Sequence, residues 1–173
     1  MIGWENIFKQ IQTDDLNINP FKLIGDEWFL LTAGNRNSFN TMTASWGTMG
    51  EFWNKPVAIC FIRPNRHTYE FAEESDVFSL SFVGNENKDI LRFCGSKSGR
   101  DTDKIKETGL KPVILKNEGV SFEQAHLVIE CRKIYFDDIK PVFIIPDNID
   151  DSIYPNKDYH RMYIGEVIGV YKK

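Results

Sequence analysis

Between Lys88 and Lys106 the sequence sets Lys88, Arg92, Lys97, Arg100, Lys104 and Lys106 against only Asp89, Asp101 and Asp103, a local positive excess in a chain of net charge −4. Its centre, Cys94-Gly95-Ser96-Lys97-Ser98-Gly99-Arg100-Asp101, reads as a Gly/Ser-rich turn opening onto a helix N-terminus. Free backbone N–H groups and the helix dipole favour an anion there, a phosphate for example. A second basic pair, Arg63 and Arg66, flanks Pro64 just before Thr68 at a strand-to-helix junction. A third stretch, Asn40-Thr41-Met42-Thr43-Ala44-Ser45-Trp46-Gly47, alternates as a strand: Thr41, Thr43, Ser45 and Gly47 on one face, Met42, Ala44 and Trp46 on the other. Buried hydroxyls left unpaired cost roughly 1–3 kcal/mol each, so the hydroxyl face needs hydrogen-bond partners, from a ligand or from water. Each stretch also has a plainer reading: a solvated loop, a capped helix beside an exposed arginine, a half-exposed strand. Neither the G-x-G-x-x-G nor the Walker A pattern is present.

The elements that would position these residues are mostly strands. Residues 1–27 read as an irregular lead-in punctuated by Pro20. Trp28–Gly34 is an apolar run of strand length, and the turn-rich Asn35–Asn40 connects it to the hydroxyl strand as a hairpin. Val57–Ile62 is a short, buried, β-branched run ending at Arg63-Pro64. The spacing predicts a short helix over 65–74 capped by Asn65 or Thr68, a strand over 77–82, a helix from an Asn87 cap through Cys94 stopped by a left-handed Gly95, and another from Asp101 to Gly109. Ala125–Phe136 and Met162–Tyr171 read as two long strands separated by a proline- and aspartate-rich loop. The expected fold is mainly β with short helices, a closed or partly closed antiparallel barrel with helical excursions, in one domain over 1–173.

Composition bounds the function. At 173 residues with 42% hydrophobic content, the chain can bury a proper core. An acidic balance, with pI near 5.4, argues against generic nucleic-acid or anionic-membrane binding, so any phosphate must be held locally. Cys60, Cys94 and Cys131 are odd in number and lack CxxC spacing, which points to no disulfide framework and no metal site and fits a reducing compartment. The first residues, Met1-Ile2-Gly3-Trp4-Glu5-Asn6, lack a basic region followed by an apolar run, and no window approaches the roughly 18 apolar residues of a membrane span. A cytoplasmic location is expected.

In this order the pieces resemble the flavin reductase-like family, FMN-binding split barrels that include flavoredoxins. The resemblance rests on Asn40–Gly47, on Arg63-Pro64-Asn65-Arg66-His67-Thr68-Tyr69, on Cys94–Lys104 and on the closing His160-Arg161-Met162-Tyr163-Ile164-Gly165-Glu166-Val167. It covers roughly residues 25 to 171, leaving 1–24 as lead-in. It implies an antiparallel split β-barrel and a homodimer with one FMN near each subunit interface. Asn40, Thr41, Met42, Thr43, Ala44, Ser45 and Trp46 would lie along the isoalloxazine. Arg63, Arg66 and Thr68 would meet the ribityl phosphate, and Ser98, Gly99, Arg100 and Lys104 would complete the site.

A flavin carries the electrons itself, so the missing nucleophile or triad is consistent with such a site. His126 and His160 are the candidates for approaching the flavin or a nicotinamide, although each also reads as a structural histidine. The implied activity is an oxidoreductase taking hydride from NADH or NADPH onto FMN and passing electrons to an unidentified acceptor. The alternative is an electron-transfer FMN protein without nicotinamide turnover. No residues match the substrate site of the related pyridoxamine-phosphate-oxidase-like branch.

Overall fold

The computed structural model describes residues 1–173. In chain order the elements are β1 (Ile2–Gly3), β2 (Lys9–Ile11), α1 (Pro20–Lys22), β3 (Phe29–Gly34), β4 (Phe39–Ala44), β5 (Gly47–Phe52), β6 (Lys55–Ile62), α2 (His67–Glu74), β7 (Val77–Phe82), α3 (Lys88–Ser96), α4 (Lys104–Thr108), β8 (Pro112–Ile114), β9 (Val120–Phe122), β10 (Leu127–Asp138), α5 (Ile149–Ile153) and β11 (Arg161–Lys172).

The main sheet runs β4-β3-β7-β10-β11-β6-β5 with every pair antiparallel, and β2 joins β11 beyond β6. β4 and β5 end the order without pairing to each other, so the barrel is split there. The strand expected over 40–47 is therefore two strands: it breaks at Ser45-Trp46, where the chain crosses from one end of the sheet to the other.

Period-two alternation fills the barrel. Phe29, Leu31 and Ala33 of β3, Phe78, Leu80 and Phe82 of β7, Leu127, Ile129 and Cys131 of β10, and Ala58, Cys60 and Ile62 of β6 belong to one buried cluster. β10 and β11 reach 12 residues each by bending at two bulges, between Glu130 and Cys131 and between Lys133 and Tyr135. Gly165 sits opposite the second bulge because a Cβ there would lie 2.6 Å from Cys131 Cβ and 2.5 Å from the Phe78 ring.

A second core covers the outer face of β3, β7 and β10. Leu30, Val128 and Tyr171 pack there with Leu91 and Cys94 of α3, Leu110, and Val113 and Phe122 of the β8–β9 hairpin. This explains why β3 is buried on both faces. Ser79 and Ser81, the outward residues of β7, are buried and bond to Val120 O and Ser121 Oγ of β9. The lead-in, expected to be irregular, is tied in: β1 pairs in parallel with β8, and β2 with β11.

Candidate functional site

The split between β4 and β5 leaves β4 as an edge strand, and the C-terminal half of α3, the 97–103 loop and the start of α2 gather around it. Asn40 Nδ2 donates to Thr68 Oγ1 at 2.7 Å, fixing the start of α2 to β4. Arg66 is the N-cap of α2 with an extended backbone, and no side chain caps the first turn. Asn65 and Thr68 do not cap as expected: Asn65 donates to Asp158, and the Thr68 hydroxyl receives Asn40. The residues at this uncapped start, Asn65 to Thr68, line a cleft of about 290 Å³.

Met42, Asn65, Arg66, His67, Thr68, Ser96, Lys97, Ser98, Gly99 and Lys104 line this cleft, and no carboxylate is among them. Lys104 is buried, and its ammonium donates to Thr41 O at 2.8 Å and Cys94 O at 3.1 Å. Arg66 donates to Gly95 O at 2.7 Å. Lys97 is exposed and makes no ion pair. The acceptors of Arg66 and Lys104 are thus neutral carbonyls, two of them at the C-terminal end of α3, where cations suit the helix dipole. Burial above all, against the opposing pull of Cys94 and with a smaller addition from the neighbouring Arg66, holds the Lys104 amine down to about 8. Burial and the nearby Arg63 lower Arg66 as well. Both depressions are relieved by an anion placed between them.

Ser96 also lines a second hollow of about 700 Å³, with Trp28, Thr43, Ala44, Ser45 and Gly95 on its walls, so the two spaces meet at the end of α3. β4 presents its open edge here. Thr41 O meets Lys104 on the side away from β3, and the strand's alternation puts the Thr43 N–H and C=O on that same side. The hydroxyl face resolves differently from its sequence reading. Thr41 Oγ1 pairs with Thr32 Oγ1 at 2.9 Å, and Thr43 Oγ1 donates to Leu91 O, so neither needs a ligand or water. Ser45 alone of the three has a hydroxyl without a partner in the chain.

Two of the expected phosphate contacts are engaged elsewhere. Arg63 grips Asp158 through both carboxylate oxygens at 3.0 and 2.9 Å, donates to Ile153 O at 2.8 Å and packs on the Tyr154 ring. Arg100 donates to Glu70 and to Asn65 O. Of the two helix starts expected beside basic residues, that of α2 borders the cleft uncapped, whereas α4 begins at Lys104, not Asp101, and the Asp103 side chain caps it by accepting from Lys106 N. Gly95 lies inside α3, which ends at Ser96 with Lys97 extended. Gly95 serves close approach instead of left-handed termination, since a Cβ there would touch Thr43 at 3.4 Å.

Of the two histidines, His126 bonds to Glu27 at 2.5 Å and lines neither space. His160 is buried, its Nδ1 is 3.0 Å from the Tyr154 hydroxyl, and its ring lies 4.9 Å from that of Trp46. Burial first and then Arg63 lower it to about 4, against Asp158, so it is neutral at pH 7. Trp46 is 45% exposed on its other side. Sequence reasoning missed Asn65, His67, Ser96 and Lys97 as cleft-lining residues. All four fall inside the motifs that carried the resemblance, and their spacing beside Arg66 and Ser98 was the available signal.

Residues 23–173 match the family described as flavin reductase like domain. No curated protein sequence matches the chain. Among solved structures, an FMN-binding protein from Thermus thermophilus with bound p-hydroxybenzaldehyde is similar at 19% identity, with TM-score 0.68 over 95% of this chain and 82% of that one. Flavoredoxin from Methanosarcina acetivorans is similar at 19% identity, with TM-score 0.65 over 95% and 75%. The NADH:FAD oxidoreductase of Streptomyces globisporus, in complex with NAD and FAD fragments, is similar at 15% identity, with TM-score 0.63 over 85% and 74%. At these identities the likeness is one of fold.

Proposed function

The chain belongs to the flavin reductase-like domain family, and on that premise we propose that it binds FMN and works as an oxidoreductase that takes hydride from NADH or NADPH and passes electrons on. The observation that carries the reading is the acid-free cleft, where three cations without carboxylate partners and one uncapped helix start converge in an acidic protein. A phosphomonoester dianion is the complement of that arrangement.

The residues fit the group part by part. Arg66, Lys97, Lys104 and the first turn of α2 would hold the phosphate. The open edge of β4 at Thr43, with the Ser45 hydroxyl, offers donors and acceptors to the polar side of a planar ring, and Trp46 offers an aromatic neighbour. Bound FMN supplies the two-electron chemistry, while the chain supplies position and electrostatics. A neutral His160 steadied by Tyr154 sits behind Trp46, where it orients that ring and adds no charge to the site.

Phe52, Trp53, Tyr135 and Phe136 are exposed, with the Phe52 and Trp53 rings tilted together at 4.4 Å and Trp53 edge-on to Tyr135 at 6.2 Å. We read this aromatic patch as the face of a homodimer, since aromatic residues concentrate in interface cores. No helix is long and apolar enough to cross a membrane.

The test is to load the protein with FMN, mix it anaerobically with NADH and then NADPH, and follow flavin bleaching. Rapid bleaching supports the reductase reading. No bleaching with either donor, beside ready reduction by a protein donor, leaves an electron-transfer FMN protein. A protein that takes up no FMN, judged by mass spectrometry of the denatured sample, overturns the assignment. Light scattering that finds a monomer overturns the dimer.

A further inference from the structure

Arg100 does not point at the cleft but spans two of its walls. From the loop that carries Ser98 and Gly99 its guanidinium reaches Asn65 O at 3.1 Å, and Glu70 of α2, 30 residues away in sequence. Glu70 is also held by His67 Nδ1 at 3.0 Å and does not line the cleft. Beside this bridge, Gly99 packs so closely on Asn40 and His67 that a Cβ would collide with Asn40 Oδ1. Beyond Gly99 and Lys104, which line both spaces, lies a separate hollow of about 480 Å³ that includes Arg100 and Asp103. The cleft therefore borders the Thr43–Ser45 groove at Ser96 and the outer hollow at Gly99 and Lys104, and at that second junction the Arg100 bridge ties the loop to α2.

We infer that the Arg100–Glu70 bridge is a latch that makes the site specific for a flavin monophosphate. It seals the phosphate end, so a flavin whose phosphate continues into a dinucleotide meets a closed wall, and it slows escape of the monophosphate. The inference rests on the FMN reading. It reassigns Arg100 from phosphate ligand to gate and gives Glu70, which no motif marked, a part in specificity. Both side chains are about half exposed, so the latch can open without unfolding the domain.

The experiment compares wild type, Arg100→Ala and Glu70→Gln. FMN release is followed by the flavin fluorescence regained when the complex is diluted, and equilibrium affinities are measured for FMN and FAD. A latch predicts that both variants release FMN faster: Arg100→Ala roughly 3- to 30-fold, because it loses one half-exposed ion pair plus one hydrogen bond, and Glu70→Gln by less, because the bond to Asn65 O remains. It also predicts that both lose part of the wild-type preference for FMN over FAD. Glu70→Gln is decisive. If Arg100 were a phosphate ligand, freeing it from Glu70 would slow FMN release, and that result overturns the latch. Unchanged release and selectivity in both variants, with FMN still bound, also overturn it and leave the FMN reading standing. Wild-type protein that holds FAD as tightly as FMN overturns it too. Wild-type protein that binds no flavin removes the FMN reading itself. Circular dichroism confirms that each variant is folded.

Discussion

Arg66 and Lys104 hold consecutive carbonyls at the end of α3, those of Gly95 and Cys94, and neither cation meets a carboxylate. Each satisfies the helix terminus while keeping its own charge uncompensated. Removing one cation should therefore weaken FMN far more than riboflavin, which has no phosphate. A charge-assisted hydrogen bond contributes about 1.5–3 kcal/mol, so Arg66→Ala and Lys104→Met should each weaken FMN roughly 10- to 150-fold. Equal losses for both ligands, measured by fluorescence titration, would assign these residues to the fold alone.

FMN affinity should fall on both sides of a plateau. The free protein's Lys104 titrates at about 8, and a bound dianion raises that value, so binding takes up a proton above pH 8 and affinity falls there by up to about tenfold per pH unit. Below about pH 6 the phosphate itself takes a proton and loses charge. Riboflavin titrated over the same range should show neither limb, and Lys104→Met should abolish the alkaline one.

Gly99→Ala should disturb the cleft without unfolding the barrel. Its Cβ would come within 3.1 Å of His67 Cδ2 and collide with Asn40 Oδ1, so Asn40 or the loop must shift. Overpacking of this kind costs about 1–3 kcal/mol, which would appear as a roughly 5- to 150-fold loss of FMN affinity if the loop gives way. Gly50→Ala, on edge strand β5 where nothing lies within 4 Å, should leave affinity unchanged.

Arg63→Ala should separate tether from ligand. Its partners, Asp158 and the Ile153 carbonyl, belong to the excursion between β10 and β11. The variant should keep FMN affinity within about threefold and become more sensitive to limited proteolysis between residues 145 and 160. A loss as large as that of Arg66→Ala would return Arg63 to the phosphate.

His160 should make the fold acid-sensitive. Its folded value of about 4 lies below its ordinary 6.5, so on acidification the unfolded chain binds the proton first. The stability is fully present above pH 6.5, is lost as pH falls toward 4, and is not lost further below 4. Urea midpoints across this window should decline in wild type and decline less in His160→Asn.

The hairpin of β3 and β4, the β7 strand and the left-handed stop at Gly109 were legible because short-range pattern decides them. So was the local excess of charge around Lys104. What the sequence withheld was tertiary pairing. Arg63, Arg66 and Arg100 are the same residue type in the same neighbourhood, and only the arrival of Asp158 and Glu70 distinguishes the two that meet carboxylates from Arg66, which bonds a carbonyl. The hydroxyls of Thr41 and Thr43 did require partners, but Thr32 and the Leu91 carbonyl supply them from other elements. Gly95 looked like a terminator because glycine ends helices often, while here its missing side chain lets α3 approach β4.

β11 pairs with β10 along its whole length, with β6 through Arg161–Glu166 and with β2 through Val170–Lys172. All three partners precede it in the chain. During synthesis β2, β6 and β10 must leave the ribosome and wait with open, hydrogen-bonding edges until the residues up to Lys172 follow. The barrel is thus completed by one late, non-local insertion, the kind of step that makes folding slow and leaves an emerging chain exposed to aggregation. A nascent chain halted before Gly165 would carry all of its cleft residues, yet it would lack most of the strand that holds their scaffold shut.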